Sequence, residues 1–345
     1  MSLYLKRIFI LGLFLLSASD LHAQALKNEN DLGLSYIKQS KFTLAIVELT
    51  KAIKVDNKDA DGYTFRALAY ARLGNFTDAI SDSTQAIEIN PKDFLAFANR
   101  GQFYAKQGNF AAAISDFNEA IHINPRIPIN YNNRGTVEAL QGDNALALSD
   151  YSKAISLNFK DFSAYANRAK IYAQQGNLAQ AIADYTSAIG INPQKTIYYR
   201  DRGLAYVRGN DDDHGIADFT KAIEIDPKDY VAYFLRGAVF YNQKNFTQAI
   251  ADYTQVLVLN PKNIDAYFNR ALIYLRVNKT SEGVADLNQV VQFNPNYTRA
   301  YYNRAVGFYQ LKQYDKAWAD VKKAQGLGIT LNPNFIKALK NASGQ

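Results

Sequence analysis

The sequence predicts an all-α solenoid of stacked antiparallel helix pairs, and three observations predict it. Asn-Pro or Asp-Pro ends at Pro91, Pro125, Pro193, Pro227, Pro261 and Pro295, at intervals of 34 residues or, between Pro125 and Pro193, twice 34, with Phe159 in the missing register. Within each 34-residue unit, apolar and small residues recur at helical spacings of three and four. A single unit of that kind cannot bury its own apolar faces, so neighbours must stack and leave a concave surface.

Setting position 1 at Leu26, Ala60, Phe94, Pro128, Phe162, Thr196, Tyr230, Ile264 and Thr298 gives nine units without a gap, over 26–59, 60–93, 94–127, 128–161, 162–195, 196–229, 230–263, 264–297 and 298–331. The first helix of each of units two to nine carries an aromatic ring at position 4 (Tyr63, Phe97, Tyr131 and their successors), Gly or Ala at position 8, and Tyr or Phe at position 11 except at Glu138. Position 15 is Gly74, Gly108, Gly142, Gly176, Asn210 or Asn278, residues that accept the left-handed backbone ending a helix. The second helix places Ala or Gly at position 20, facing position 8, and Pro at position 32 follows its end. Small residues at 8 and 20 let the two backbones approach, while rings at 4, 11 and 24 fill the wedge against the next unit.

These residues resemble the tetratricopeptide repeat family, whose pattern has an aromatic at 4, Gly at 8, Tyr at 11, Ala at 20, an aromatic at 24, Ala at 27 and Pro at 32. The resemblance spans the solenoid, residues 26–331, and implies a right-handed superhelix whose first helices line a concave groove.

The two ends read differently. Lys6 and Arg7, the nine-residue apolar run from Ile8 to Leu16, and Ala23-Gln24-Ala25 follow the order of a secretory signal, so residues 1–25 are expected to be removed and the product exported, periplasmic or secreted, in a bacterial cell envelope. The run is too short to span a bilayer, so no stable membrane insertion is expected after cleavage. Residues 332–345 are expected to form a short capping helix and tail.

Composition excludes much chemistry. There is no Cys, hence no disulfide, thiolate nucleophile or Cys-ligated metal, and only His22, His122 and His214 could supply imidazole. No cofactor and no metal site is expected. The formal charge of +7 comes from 39 basic and 32 acidic residues that are mixed along the chain, without the basic stripe of a nucleic-acid binder, and no nucleic-acid partner is expected. No Ser/His/Asp set, phosphate loop or paired acids stand outside the repeat pattern, so the chain is not read as an enzyme.

Arg at position 7 and Asp at position 23 recur in units two to nine, from Arg66 and Asp82 to Arg304 and Asp320. Because positions 8 and 20 touch, 7 and 23 lie nearly opposite, and the expected role is an ion pair tying helix to helix rather than a row of anion receptors. Asp211, Asp212, Asp213 and His214 fall at a turn into a second helix and are expected to cap it. Position 6 carries Asn99, Asn133, Asn167, Asn269 and Asn303. The family places position 6 in the groove, and a similar asparagine ladder in O-linked N-acetylglucosamine transferase holds an extended peptide by its backbone. An amide both donates and accepts, so the ladder reads either as peptide capture or as structural hydrogen bonds between repeats. Asn132 and Lys170 on the polar half and Phe268 and Tyr302 on the aromatic half complete the candidate groove. The family's carboxylate clamp for chaperone tails, with Lys at 5 and Asn at 9, is not matched by Thr64, Ala98, Asn132 and Ala166 or by Leu68, Gln102, Thr136 and Lys170. The functional expectation is a scaffold holding a peptide or protein segment in the groove. The rival is a self-assembling structural component, a homo-oligomer with no separate peptide ligand.

Overall fold

A computed structural model of the chain describes residues 29–344. The expected signal segment, residues 1–25, lies outside the described residues. Within them all regular structure is helical: α1 (29–38), α2 (Phe42–Val55), α3 (Ala60–Arg72), α4 (Phe76–Ile89), α5 (Phe94–Lys106), α6 (Phe110–Ile123), α7 (Pro128–Gln141), α8 (Asn144–Leu157), α9 (Phe162–Gln174), α10 (Leu178–Ile191), α11 (Thr196–Arg208), α12 (Asp212–Ile225), α13 (Tyr230–Asn242), α14 (Phe246–Leu259), α15 (Ile264–Arg276), α16 (Thr280–Phe293), α17 (Thr298–Gln310), α18 (Tyr314–Gly326) and α19 (Pro333–Ser343). The chain divides into two compact units, the first ending in sequence at Ile171 and the second starting at Tyr172.

In both units an odd-numbered helix packs on the following even-numbered one, and that pair packs on the next. Consecutive first helices also approach each other, α3 with α5 and α5 with α7 in the first unit, α11 with α13 and α15 with α17 in the second. First helices therefore lie on the inner side of each stack. The close seam within a pair follows from its small residues. Ala67 and Ala79 are fully buried, and a Cβ added at Gly101 would stand 3.2 Å from the Ala113 carbonyl oxygen and from the Phe117 ring. At Gly203 an added Cβ would come within 2.8 Å of Phe219.

The chain reverses between the two helices of a pair through one residue of positive φ, and the register of that residue never shifts. Gly74, Gly108, Gly142 and Gly176 occupy it, as do Asn210 (φ 62°) and Asn278 (φ 60°). The same position at Ser40, Lys244 (φ 61°) and Lys312 (φ 58°) is filled by residues that carry the steric penalty of the left-handed region. Some helix starts are fixed by side-chain caps, as where Asp93 accepts from the Leu95 and Ala96 amides and Asn263 from that of Ala266.

Each described Arg–Asp pair is bidentate. Arg100 donates Nε and Nη2 to the two carboxylate oxygens of Asp116, both at 2.8 Å, and Arg66–Asp82, Arg134–Asp150, Arg202–Asp218, Arg236–Asp252, Arg270–Asp286 and Arg304–Asp320 repeat the arrangement. The remaining nitrogen, Nη1, does what the sequence reading did not foresee: it donates to a side chain sixteen residues upstream, in the preceding pair. Arg100 reaches Thr84 at 3.0 Å, Arg134 reaches Asn118 at 2.6 Å, and Arg168 reaches Ser152 at 2.9 Å. The guanidinium of Arg100 also lies between the rings of Phe97 and Tyr104, its carbon 5.7 and 5.9 Å from their centroids. The aspartate is almost fully enclosed, with Asp116 5% exposed, and its hydrogen bonds raise the Arg100 pKa against the opposing effect of burial.

Two stability outcomes follow from this geometry. Replacing Lys312 by Gly is expected to stabilise the chain by about 0.5–1 kcal/mol in urea unfolding, because glycine carries no penalty at positive φ. Asp116→Ala is expected to cost roughly 3 kcal/mol by stranding a half-buried guanidinium, whereas Thr84→Val, which removes one hydrogen bond between repeats, costs about 1 kcal/mol.

Candidate functional site

On the inner face of the first unit a cavity of about 230 Å³ opens between α5 and α7. Gln102, Ala105 and Lys106 line it from α5, Asn133, Thr136, Val137 and Leu140 from α7, and Phe117 of α6 contributes to its wall. Helical periodicity sets this up: 133, 136, 137 and 140 fall on one face of α7, as do 102, 105 and 106 on α5. Phe117 and Val137 are buried at 1% and 3% exposure, whereas Leu140 is 65% exposed. The cavity thus has an apolar base, an exposed apolar rim and amide, hydroxyl and ammonium groups around it.

The structure sorts the asparagine ladder. Asn133 lines the cavity, and Asn99 lies one helical turn before Gln102 and Phe103 on α5; both are half-buried and neither hydrogen-bonds to another described residue. The other three amides are engaged within the scaffold. Asn167 donates to the Asn132 side-chain oxygen at 3.1 Å, joining two successive first helices. Asn269 donates to the Tyr253 hydroxyl at 3.4 Å, and Asn303 to the carbonyl of Arg299, one turn back, at 2.8 Å.

Three further positions differ from the groove lining expected of them. Asn132 is 6% exposed, covered where it accepts from Asn167. Phe268 is 5% exposed: its ring meets Tyr297 at 5.1 Å between centroids and belongs to the core with Leu287 and Ala300, because a large apolar side chain at that register is drawn into the seam with the next pair. Tyr302 is half-buried under Phe335 of α19, at 5.7 Å edge to face. Lys170 is exposed on α9. Leu140, which sequence reasoning did not single out, could have been found as an apolar residue at an inner-face position of a helix whose neighbours there are polar.

Beneath the groove, Thr136 donates to the Asn132 carbonyl at 2.8 Å and receives the Tyr151 hydroxyl at 3.3 Å. Burial raises the Tyr151 pKa. Elsewhere on α7, Glu138 stands where the other pairs place a ring over the arginine. It is 6% exposed, its Oε2 has no hydrogen-bond partner, and Arg134 Nε lies 3.9 Å from Oε1. Burial, reinforced by the nearby charge of Asp150, pushes its pKa up to about 7 against the pull of Arg134.

The acidic turn caps α12. Asp211 accepts from the His214 amide at 3.3 Å and lies 2.8 Å from the ring Nδ1, while that ring stacks on Tyr206 at 5.0 Å. Among the described residues no group of three or more His, Cys, Asp or Glu side chains is placed to hold a metal ion, and no helix is long and apolar enough to cross a membrane.

Comparison with known proteins bears on the same residues. Tetratricopeptide repeat family models match residues 30–93, 94–127 and 162–195, 198–229 and 264–297, and 219–251, and a TPR repeat model matches 237–278. The C-terminal part of a TPR repeat-containing protein from Cytophaga hutchinsonii is similar in structure at 16% identity, covering 69% of this chain and 97% of that one with a TM-score of 0.59. PilF of Pseudomonas aeruginosa matches at 20% identity over 60% of this chain and 94% of its own, TM-score 0.54. A tetratricopeptide repeat protein from Parabacteroides merdae matches at 24% identity over 73% of this chain and 99% of its own, TM-score 0.52. No curated protein sequence is a significant match.

The Glu138 carboxyl makes stability pH-dependent. Its folded pKa lies above the ordinary value of 4.5, so its contribution is fully present below about pH 4.5 and is lost as pH rises through about 7. Chemical unfolding should show stability falling by on the order of 3 kcal/mol across that window from this group. Glu138→Gln should flatten the fall, and Glu138→Tyr, which restores a ring beside Arg134, should raise stability at pH 8.

Proposed function

The chain belongs to the tetratricopeptide repeat family, and from that premise we propose that it is an exported, non-catalytic scaffold that holds an extended peptide or protein segment against the inner face of its first unit. The observation that carries this reading is the pair Asn99 and Asn133. They lie in equivalent register on neighbouring first helices, half-exposed beside an open cavity, with no described partner for either amide. A carboxamide can pair with a peptide N–H and C=O at once, whatever the side chains of the bound segment, and the exposed Leu140 offers apolar surface to one of them. Export is supported by the apolar run and small-residue site at the start of the sequence.

Affinity capture from envelope extract by the purified protein tests the reading. Asn99→Ala/Asn133→Ala is expected to lose a specific partner while its urea unfolding curve stays within about 0.5 kcal/mol of wild type. Asn167→Ala, which breaks a contact between repeats, is expected to lose about 1 kcal/mol of stability. Undiminished capture by the Asn99/Asn133 variant would place the binding surface elsewhere.

A further inference from the structure

The inner face of the first unit is electrically one-sided. At repeat positions 5, 6, 9, 12 and 13, α3, α5 and α7 present no carboxylate at all, nor does α9 as far as Ile171, and on α1 the one carboxylate at these positions is Asp31, about two helical turns before Lys38. The same face carries Arg72, Lys106 and Lys170, and Lys38 on α1 holds the register of Arg72 and Lys106. Lys38, Arg72, Lys106 and Lys170 are all exposed, and none forms an ion pair or hydrogen bond with another described residue. Lys106 lines the cavity beside Asn133.

A cation in the last turn offsets the helix dipole, but that effect does not require this pattern, since α7 ends its inner face in Leu140. Nor does it remove carboxylates from the helix middles. On α3 and α5 the nearest acids of the inner face sit at the other end of the helices, Asp61 in the first turn of α3 among them. Asp59 and Asp93 stand as N-caps, Asp59 accepting from Asn30, and Asp93 from the α5 amides and from Thr64. A helix of 13 residues puts those ends about 18 Å from the cationic row.

Resting on the peptide-groove reading, we propose that the segment held by the first unit is acidic, its carboxylates facing the row Lys38, Arg72 and Lys106 while its backbone meets Asn99 and Asn133. The row also sets a spacing. Helices in contact lie roughly 10 Å apart, and a chain in the polyproline II conformation has three residues per turn with about 3.1 Å rise each, so acidic side chains at every third residue share one face and meet successive cations.

Fluorescence anisotropy with labelled 12-residue peptides tests this on the whole chain. The probes are a peptide with Glu at every third position, its Gln counterpart, its Lys counterpart and an isomer with all Glu at one end. The spaced Glu peptide is expected to bind at least tenfold more tightly than the Gln peptide at 50 mM salt and to lose that advantage near 0.5 M. The preference should vanish in Lys38→Gln/Arg72→Gln/Lys106→Gln, a set of surface changes whose folding is checked by thermal melting. Asn99→Ala/Asn133→Ala should instead weaken the Glu and Gln peptides by the same factor. Equal binding of the Glu and Gln peptides, or a preference that survives the triple substitution, overturns the acidic assignment and leaves the groove standing if the asparagine variant still binds less. Equal binding of the spaced and clustered isomers overturns the spacing. No binding of any peptide, or binding indifferent to both variants, overturns both readings. A 12-nucleotide single strand that displaces the Glu peptide at lower concentration overturns the assignment to a peptide.

Discussion

The arginine at the seventh position of units two to nine is the contact on which the rest of the scaffold depends. Its guanidinium has three jobs, and each uses a different part of a planar, always charged group. Nε and Nη2 close the fork on the aspartate of the second helix, Nη1 reaches back to a hydroxyl or amide of the previous pair, and the faces of the plane meet the rings one turn before and after, as at Arg100 with Asp116, Thr84, Phe97 and Tyr104. A lysine could make one of these contacts but not all three. The ion pair fixes how a helix hairpin closes, and the third nitrogen fixes where the next hairpin docks. Local pairing and propagation of the stack are thereby coupled through one side chain, which suits an architecture whose units contact only their neighbours.

With both seams settled by arginine and small residues, the inner faces of the first helices are left free of structural duty over part of their length. That freedom is uneven. In the second unit Phe268 is drawn into the core and Tyr302 is covered by Phe335, so large apolar groups at inner-face positions are spent on cohesion. In the first unit small and polar residues at the same positions leave a cavity and unpaired amides. Side-chain size at these positions decides whether a surface seals or stays open to a partner.

The division also explains how much could be read from the sequence. Most of what is fixed inside one hairpin was legible: the helix pairs, the small-residue seam, the glycine and asparagine turns, the Arg–Asp fork and the acidic cap at Asp211. Contacts between hairpins were not, because a 34-residue period gives the register of a residue but not what lies beside it in the next turn of the stack. The reach of Arg100 to Thr84, the tie of Asn167 to Asn132 and the burial of Phe268 all belong to that class. Ser40, Lys244 and Lys312 were missed for a different reason. Their left-handed backbone is imposed by the turn geometry that both flanking helices require, which overrides the residue's own preference.

The departures from the repeat concentrate on α7, the helix that lines the cavity. Asn130 and Glu138 occupy places that alanine or an aromatic ring holds in most other pairs, and each buries a polar atom without a hydrogen-bond partner, Nδ2 and Oε2 respectively. Each such atom costs about 1–3 kcal/mol, a penalty that packing alone would have no reason to retain. Asn132, by contrast, is buried but satisfied, and through Thr136 and Tyr151 its helix is bound to α8 and to Asn167 on α9. The helix is therefore held rigidly at the surface that faces the cavity and is weakened on its buried sides. A bistable or proton-sensitive site could be built from such strain, but the geometry favours a simpler consequence: the arginine ladder on either side supplies enough stability for one repeat to carry polar groups, and the amide, hydroxyl and apolar rim of the groove sit on that repeat.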